Sequence, residues 1–174
     1  MFDLTGKNAI ITGSSKGIGK SIAMAMAKQG ANVVISSRKV DVCEATAEEI
    51  NCLEDESAGK AIVIPCNISD KTALEMLVEE TRSQLGQIDI LVCNAATNPY
   101  FGSIKDITDD AFEKIMNNNI KSNHNLCQMV IPEMMERKDG CIIVVSSIGG
   151  LNASPVIGAY NISKACLLYT SDAA

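Results

Sequence analysis

The sequence Thr12-Gly13-Ser14-Ser15-Lys16-Gly17-Ile18-Gly19 joins a short apolar run to a segment with helical spacing of apolar residues. Glycine lets the main chain adopt unusual angles and approach a ligand closely. A helix N-terminus offers unpaired N–H groups and partial positive charge to a phosphate. The stretch therefore predicts a strand, a phosphate-binding turn and a helix, although a tight turn without a ligand is the alternative. Its glycine spacing differs from the commoner G-x-G-x-x-G. The predicted phosphate-binding residues are Gly13, Ser15, Lys16, Gly17, Ile18 and Gly19.

The same alternation of strand and helix continues along the chain. The strands are apolar throughout, so both faces of their sheet should be covered. Intervening helices favour a parallel sheet with right-handed crossovers, which is a doubly wound α/β fold in one domain. The predicted strands are residues 8–12, 32–36, 61–65, 88–93 and 141–145, and the predicted helices are about 18–29, 42–53, 71–85, 109–137 and a last one from 158.

Composition excludes several classes of function. The net charge of −6 argues against nucleic acid and anionic membranes as general partners. No apolar stretch reaches the ~18–20 residues that span a bilayer, and the N-terminus lacks a secretory signal. The seven cysteines form no C-x-x-C pair and only one histidine is present, so no metal site is predicted. Cys66, Cys93 and Cys141 are expected to be buried thiols, which fits a reducing cytoplasm.

The chemistry is concentrated in three residues near the end of the chain. Tyr160 and Lys164 are four residues apart, so on a helix their Cβ atoms lie about 5–6 Å from each other. A neighbouring ammonium favours the phenolate, which predicts a proton donor and acceptor that works near neutral pH. Ser147 follows the last apolar run and adds a hydroxyl. Ser146 is the competing candidate, and the thirteen-residue offset from Ser147 to Tyr160 decides for Ser147. A packed tyrosine with a satisfied hydroxyl is the alternative reading of Tyr160.

Taken together, these motifs resemble the short-chain dehydrogenase/reductase family. The resemblance rests on Thr12 to Gly19, Asn94-Ala95-Ala96, Asn119, Ser147, and Tyr160 with Lys164, and runs from about Leu4 to Cys166. It implies a Rossmann fold, a nicotinamide cofactor and interconversion of a carbonyl and an alcohol. Residues 94–102 further resemble the branch that contains carbonyl reductases and retinol dehydrogenases.

The loop after the second strand bears on the choice of cofactor. The ribose 2′-hydroxyl of NAD favours an acidic residue there, and the 2′-phosphate of NADP favours arginine. The chain has Ser37, Arg38 and Lys39 at this point and no carboxylate before Asp41. We therefore expect NADP(H) rather than NAD(H), with a solvated loop as the alternative.

The resemblance also assigns the remaining cofactor contacts. It places Asn67 and Ile68 beside the adenine, and Asn94, Ala95 and Ala96 beside the nicotinamide. Asn67 stands where the family often has aspartate. Asn-Ala-Ala departs from the usual Asn-Ala-Gly, and the extra methyl narrows that end of the pocket.

The resemblance gives each catalytic residue a role. Tyr160 is the general acid and base, Lys164 supports it and holds the nicotinamide ribose, and Ser147 binds the substrate oxygen. Asn119 falls on an apolar helical stripe among poor helix formers, so we expect a local kink there. The family role is a proton relay from Lys164 through water, and a kink satisfied by internal water is the alternative. Residues 109–137 and the last helix would form a homo-oligomer interface.

The end of the chain limits these expectations. An intact member would continue with two more strands, a substrate-binding loop and a further helix. Residues 167–174 read as a non-family tail, with a natural short homologue as the alternative. The strand at 141–145 would then be an exposed edge that invites aggregation. We expect weak cofactor binding and little turnover from this chain.

The predicted function is therefore an NADP(H)-dependent oxidoreductase acting on a small carbonyl or alcohol. The alternatives are a noncatalytic nucleotide-binding homologue and an inactive truncated fragment. The identity of the substrate cannot be predicted from these residues.

Overall fold

The computed structural model describes residues 2–170 and contains a five-stranded parallel sheet flanked by helices. The strands are β1 (Asn8–Thr12), β2 (Asn32–Ser36), β3 (Ala61–Val63), β4 (Ile90–Cys93) and β5 (Cys141–Val144). The helices are α1 (Gly17–Ala27), α2 (Val40–Asn51), α3 (Lys71–Leu85), α4 (Asp109–Met116), α5 (Ser122–Arg137) and α6 (Gly158–Thr170). Two short 3-10 turns cover Ile104–Asp106 and Ile148–Gly150.

The strand order is β3-β2-β1-β4-β5, and every pair is parallel. Because the order reverses between β1 and β4, the carboxyl ends of these two strands open onto a crevice. This is the doubly wound Rossmann arrangement that the sequence predicts. The residues that follow β1, β2 and β4 therefore meet at one edge of the sheet.

Each face of the sheet carries its own apolar core. One core packs α1 and α2 on the sheet and includes Ile11, Val33 and Ile50. The other packs α3 and α5 on the opposite face and includes Leu74 and Leu126. The central strands β1 and β2 are almost wholly buried, as their apolar sequences predict.

β5 differs from the other strands because it is the edge of the described sheet. Its residues alternate between exposed and half-buried, and Ile143 is 41% exposed. The prediction that both faces of every strand are covered is therefore wrong for β5. Cys141 is exposed, so its expected burial is also wrong. A local apolar run cannot reveal whether another strand lies beside it.

The long predicted helix at 109–137 has the expected outer bounds but is interrupted. A π-helical turn at Asn117–Lys121 separates α4 from α5. It coincides with the three consecutive asparagines at which a kink is predicted. Pro132 remains inside α5 without ending it. Within residues 2–170, no helix is both long enough and apolar enough to cross a membrane.

Candidate active and cofactor site

The glycine turn lies between β1 and α1, as predicted. Gly13 and Gly17 have φ values of +67° and +57°, which residues with a side chain adopt at a cost. At Gly19, glycine is required because of close packing and not because of its backbone angles. A Cβ there would overlap the Gly13 carbonyl oxygen and lie 2.6 Å from Asn94 Nδ2.

The backbone N–H groups at the start of α1 are not capped by the side chain of the N-cap residue. Its N-cap is Lys16, which provides no side-chain hydrogen bond, and its first turn contains no acidic residue. Lys16, Gly17 and Ile18 are exposed at this end, whereas Ser15 and Gly19 are buried. Exposed N–H groups beside a lysine form a suitable cradle for a phosphate.

The hydroxyl of Thr12 joins this turn to the end of β4. It accepts hydrogen bonds from the backbone N–H groups of Asn94 and Ala95, both at 3.0 Å. The Asn94 side chain donates to the Thr12 carbonyl at 2.9 Å and to the Gly13 carbonyl at 3.3 Å. Asn94 thus fixes the glycine turn against β4.

Two hydroxyl residues in this region were not predicted as site residues. Thr12 connects β1 to β4 as described, and Ser14 connects β1 to β2. The Ser14 hydroxyl donates to the Ile11 carbonyl at 2.7 Å and accepts from the Ser36 N–H at 2.8 Å. Their position directly at the end of a buried strand is the sequence signal that could have identified them, because buried hydroxyls require partners.

The loop after β2 presents exposed cations. Arg38 and Lys39 are exposed, and neither forms an ion pair with another described residue. Ser37 is half-buried, and its hydroxyl lies 3.2 Å from the Cys43 sulfur. The described carboxylates therefore leave both cations available to an anionic group.

Asn67 and Ile68 follow the third strand at the same edge of the sheet. Asn67 is exposed, and its side-chain oxygen accepts from the Ser69 hydroxyl at 3.0 Å. Ile68 is half-buried and packs against the core on the α3 side of the sheet. Ala96 is exposed and is not among the residues with positive φ, so its methyl group introduces no backbone strain.

Asn119 lies in the π turn and is fully buried. Its side chain accepts from the Thr97 N–H at 2.8 Å and donates to the Thr97 carbonyl at 3.0 Å and the Ser163 hydroxyl at 2.9 Å. Its backbone carbonyl accepts from Asn123 Nδ2 at 2.8 Å. The residue therefore joins the loop after β4 to α6. The water path from Lys164 stays a prediction.

α6 places Tyr160 and Lys164 on the same face. The Lys164 ammonium nitrogen lies 5.7 Å from the centre of the Tyr160 ring. Lys164 is only 3% exposed, and burial lowers its pKa. It donates to the Val145 carbonyl at 2.8 Å, a partner that the sequence did not predict.

The segment that carries Ser147 is attached to the same helix. Ser146 donates to the Lys164 carbonyl at 2.9 Å, and the Ser147 hydroxyl accepts from the Gly149 N–H at 3.1 Å. The hydroxyl of Ser146, the competing candidate for the role of Ser147, is therefore occupied by a hydrogen bond to the backbone of α6. Tyr160 lines a narrow cleft together with Asn98 and Tyr100, and its hydroxyl forms no hydrogen bond with any residue that the structure describes.

Ser163 is a further residue that the sequence did not single out. Its hydroxyl donates to the Tyr160 carbonyl at 2.7 Å while it accepts from Asn119. It therefore connects the turn of helix that bears Tyr160 to the π turn. A small polar residue three positions after the tyrosine, on a buried face, is the signal that could have found it.

The fold and these residues define a Rossmann-type domain with a serine, a tyrosine and a lysine on the segments that follow β5. Comparison with known sequences agrees, because a sequence model described as short chain dehydrogenase matches residues 7–173. The chain belongs to this family. The match extends beyond Cys166, and residues 171–174 lie outside the described residues. A non-family tail at 167–174 stays a prediction.

Individual relatives lead to the same family. The chain is 40% identical over 168 residues to Dehydrogenase/reductase SDR family member 4 of Homo sapiens, covering 95% of this chain and 58% of the relative. It is 38% identical over 166 residues to the human Dehydrogenase/reductase SDR family member 2, mitochondrial, covering 95% and 57%. The chain thus spans somewhat more than half the length of these curated relatives.

Solved structures show the same backbone arrangement. A short-chain type dehydrogenase/reductase from Mycobacterium marinum is 32% identical, with a TM-score of 0.88 over 97% of this chain and 68% of its own. A 7α-hydroxysteroid dehydrogenase, solved with NADH and 7-oxo glycochenodeoxycholic acid, is 33% identical. It has a TM-score of 0.89 over 97% of this chain and 64% of its own.

Proposed function

We propose that this chain forms the cofactor-binding and catalytic part of an NADP(H)-dependent oxidoreductase that interconverts a carbonyl and a secondary alcohol. The observation that carries the proposal is the buried Lys164 ammonium 5.7 Å from the Tyr160 ring centre, with the Ser147 segment hydrogen-bonded to the same helix. A binding module has no need of a proton donor held in this way. The bound nicotinamide supplies hydride transfer.

The protein residues supply orientation and proton movement. In carbonyl reduction, the Tyr160 hydroxyl donates a proton to the substrate oxygen, and in alcohol oxidation the phenolate accepts it. The Ser147 hydroxyl donates a hydrogen bond to the same oxygen as negative charge develops. The Lys164 ammonium stabilises the phenolate and is a donor for the ribose. Asn119 positions this helix and is proposed to take part in the relay that returns a proton to Tyr160.

The cofactor preference rests on the loop after β2. Arg38 and Lys39 are exposed and have no carboxylate partner among the described residues, so both favour a 2′-phosphate. Lys16 adds a third cation at the glycine turn. The similar 7α-hydroxysteroid dehydrogenase was solved with NADH, so the preference for NADP(H) must be tested directly.

The cofactor proposal is tested by titrating the chain with NADPH and NADH and following the cofactor's own fluorescence. We expect tighter binding of NADPH. Arg38→Asp should weaken NADPH binding by about 10–100-fold, because it replaces a cation with an anion beside the 2′-phosphate, and should leave NADH binding nearly unchanged. Lys28→Asp, a charge reversal at the opposite end of α1, is the matched control. Equal losses in the two variants would exclude a specific role for Arg38.

The catalytic proposal is tested with Tyr160→Phe and Ser147→Ala against a panel of small carbonyl compounds. We expect both variants to retain NADPH binding and Tyr160→Phe to lose at least ~100-fold in turnover. Ser146→Thr, which keeps the hydroxyl that donates to the Lys164 carbonyl, is the control for Ser147→Ala and should retain turnover. The test should also be made in a chimera that carries the C-terminal part of the human member 4 relative, because this chain spans 58% of that protein.

The main rival is a noncatalytic nucleotide-binding homologue. It predicts NADPH binding without turnover in both the chain and the chimera. An inactive fragment predicts turnover in the chimera alone. Turnover in the chimera that depends on Tyr160 therefore supports the enzyme and contradicts the binding module.

We also propose an assembly and a location for the protein. α5 and α6 expose Met135 (72%) and Ile162 (44%), which suit an interface between copies of the chain. Analytical ultracentrifugation with Met135→Lys tests this, with a shift toward monomer expected. A cytoplasmic location is proposed because the cysteines are free thiols, which fit a reducing compartment, and imaging of a tagged chain tests it.

A further inference from the structure

A buried asparagine stands directly after Tyr160 on α6. Asn161 is 7% exposed, whereas its neighbour Ile162 is 44% exposed. A buried amide requires hydrogen-bond partners, because burial removes those that water would provide. The partner of Asn161 lies outside α6, since its side-chain nitrogen donates to the backbone carbonyl of Asn152 at 3.2 Å. Asn161 therefore holds the far end of the segment 147–152, which we call the serine loop.

The serine loop is a compact unit built on Ser147. The Ser147 hydroxyl accepts from the Gly149 N–H at 3.1 Å, and the Ser147 carbonyl accepts from the Gly150 N–H at 2.9 Å. The Ile148 carbonyl in turn accepts from the Asn152 N–H at 3.1 Å. Because successive residues are hydrogen-bonded in this way, a displacement of Asn152 is passed back to Ser147.

Two glycines let the serine loop lie against α6. A Cβ on Gly149 would be 2.4 Å from the Asn161 side-chain oxygen. A Cβ on Gly150 would be 2.9 Å from the Lys164 carbonyl oxygen. Neither glycine has a positive φ, so close packing and not backbone conformation excludes a side chain at both positions. Asn161 thus meets the loop twice, with its nitrogen at Asn152 and its oxygen at Gly149.

These contacts control the placement of Ser147 relative to Tyr160. The residue before the loop, Ser146, donates to the Lys164 carbonyl at 2.9 Å and fixes the near end of the loop to α6. Asn161 fixes the far end one residue away from Tyr160. Two groups that act on one substrate oxygen must be held within about 0.5 Å of the productive geometry. Attachment at both ends provides that precision.

We propose that Asn161 is a positioning residue, which sets the place of the Ser147 hydroxyl relative to Tyr160 by holding the serine loop against α6. Its contacts are with the loop, so it acts on the reaction through Ser147. The effect on turnover rests on the proposed function. The attachment of the loop is a property of the folded chain and can be tested without substrate.

The attachment is tested in this chain by amide hydrogen exchange with Asn161→Ala. We expect exchange at residues 149–151 to accelerate about fivefold, as loss of one hydrogen bond implies, and exchange in β1 to stay unchanged. Asn152→Ala is the matched control, because it removes an exposed amide but keeps the carbonyl that Asn161 binds. Equal acceleration in β1, or none at 149–151, would overturn the attachment.

Gly149→Ala tests the same contact from the loop side. Its methyl meets the Asn161 oxygen first, and the next atoms are Asn161 Cγ at 3.3 Å and Ser147 Oγ at 3.4 Å. We therefore expect Gly149→Ala to lower the urea midpoint less in the Asn161→Ala background than in the unmodified chain. Gly150→Ala meets the Lys164 backbone instead, so its loss should be the same in both backgrounds. Additive losses for Gly149→Ala would contradict the contact.

The effect on the reaction is tested in the chimera that carries the C-terminal part of the human member 4 relative. We expect Asn161→Ala to lower kcat about tenfold, because a small misplacement of Ser147 weakens its hydrogen bond to the substrate oxygen. The KM for NADPH should stay unchanged. In the Ser147→Ala background, Asn161→Ala should lower kcat less than ~2-fold further. A tenfold loss in both backgrounds would show that Asn161 does not act through Ser147.

Failure of this inference differs from failure of the proposed function. A chimera without turnover counts against the proposed function, whereas the exchange and urea experiments still decide whether Asn161 holds the serine loop. Turnover that Asn161→Ala leaves unchanged, together with accelerated exchange at residues 149–151, would overturn the positioning role and leave the proposed function standing.

Discussion

The Asn119 side-chain amide pairs with both backbone groups of Thr97, accepting from its N–H at 2.8 Å and donating to its carbonyl at 3.0 Å. A third hydrogen bond joins it to Ser163 on α6. One fully buried side chain thus holds together the loop after β4, the π turn and the helix that carries Tyr160 and Lys164.

Asn119→Ala should lower the free energy of unfolding by about 2–4 kcal/mol, because it leaves the polar groups of Thr97 and Ser163 without their partner. Urea denaturation measures the loss. Asn118→Ala is the matched control within the π turn, because the side-chain oxygen of Asn118 is buried without a partner among the described residues. Its loss should be below ~1 kcal/mol. Similar losses in the two variants would contradict this role of Asn119.

Gly19→Ala should destabilise the chain by more than ~2 kcal/mol, because the added methyl overlaps the Gly13 carbonyl and crowds Asn94. Gly17→Ala meets no atom within 4 Å and should cost only the ~1 kcal/mol of a left-handed backbone. Thermal and urea unfolding of both variants test the order. The reverse order would show that the close approach of α1 to β4 is not the limiting contact.

Lys164 should make the stability of the chain dependent on alkaline pH. Burial lowers the pKa of folded Lys164 below the ordinary value of 10.5. At pH values between the folded-state pKa and 10.5, the unfolded chain therefore binds more protons than the folded one. The free energy of unfolding therefore rises with pH through that window. We expect Lys164→Met to lack this rise when urea unfolding is repeated at increasing pH. Parallel pH curves for the two proteins would contradict the lowered pKa.

Ile143→Lys should reduce aggregation at little cost in stability, because Ile143 is 41% exposed on the edge strand β5. Light scattering at matched concentrations measures the change. Ile142→Lys is the contrasting variant, since Ile142 packs against the core on the α3 side and its replacement should cost about 2 kcal/mol or more. If Ile143→Lys aggregates as fast as the unmodified chain, the edge of β5 is not the site of association.

The sequence predicts elements that carry their own local signals. The predicted bounds of α3 agree with the observed ones at both ends. Asp70 accepts from the Thr72 N–H at the start of the helix, and Gly86 follows its end with a φ of +90°. The glycine turn and the pairing of Tyr160 with Lys164 depend on short spacings and were likewise predictable.

Contacts between distant segments were not predictable in the same way. The hydrogen bond from Lys164 to the Val145 carbonyl and the pairing of Asn119 with Thr97 follow no periodic pattern. The exposure of Cys141 depends on the position of β5 in the sheet, which its own apolar residues do not encode. Tertiary partners decided each of these features.

The π turn at Asn117–Lys121 has a consequence for the geometry of the whole helical rod. A π turn contains more residues than an α turn, so it rotates the following helix about its axis relative to an uninterrupted one. α4 contacts α6, whereas α5 contacts α3. The π turn therefore lets α4 pack on α6 and α5 pack on α3. Deleting a single residue there would rotate one of the two helices away from its partner.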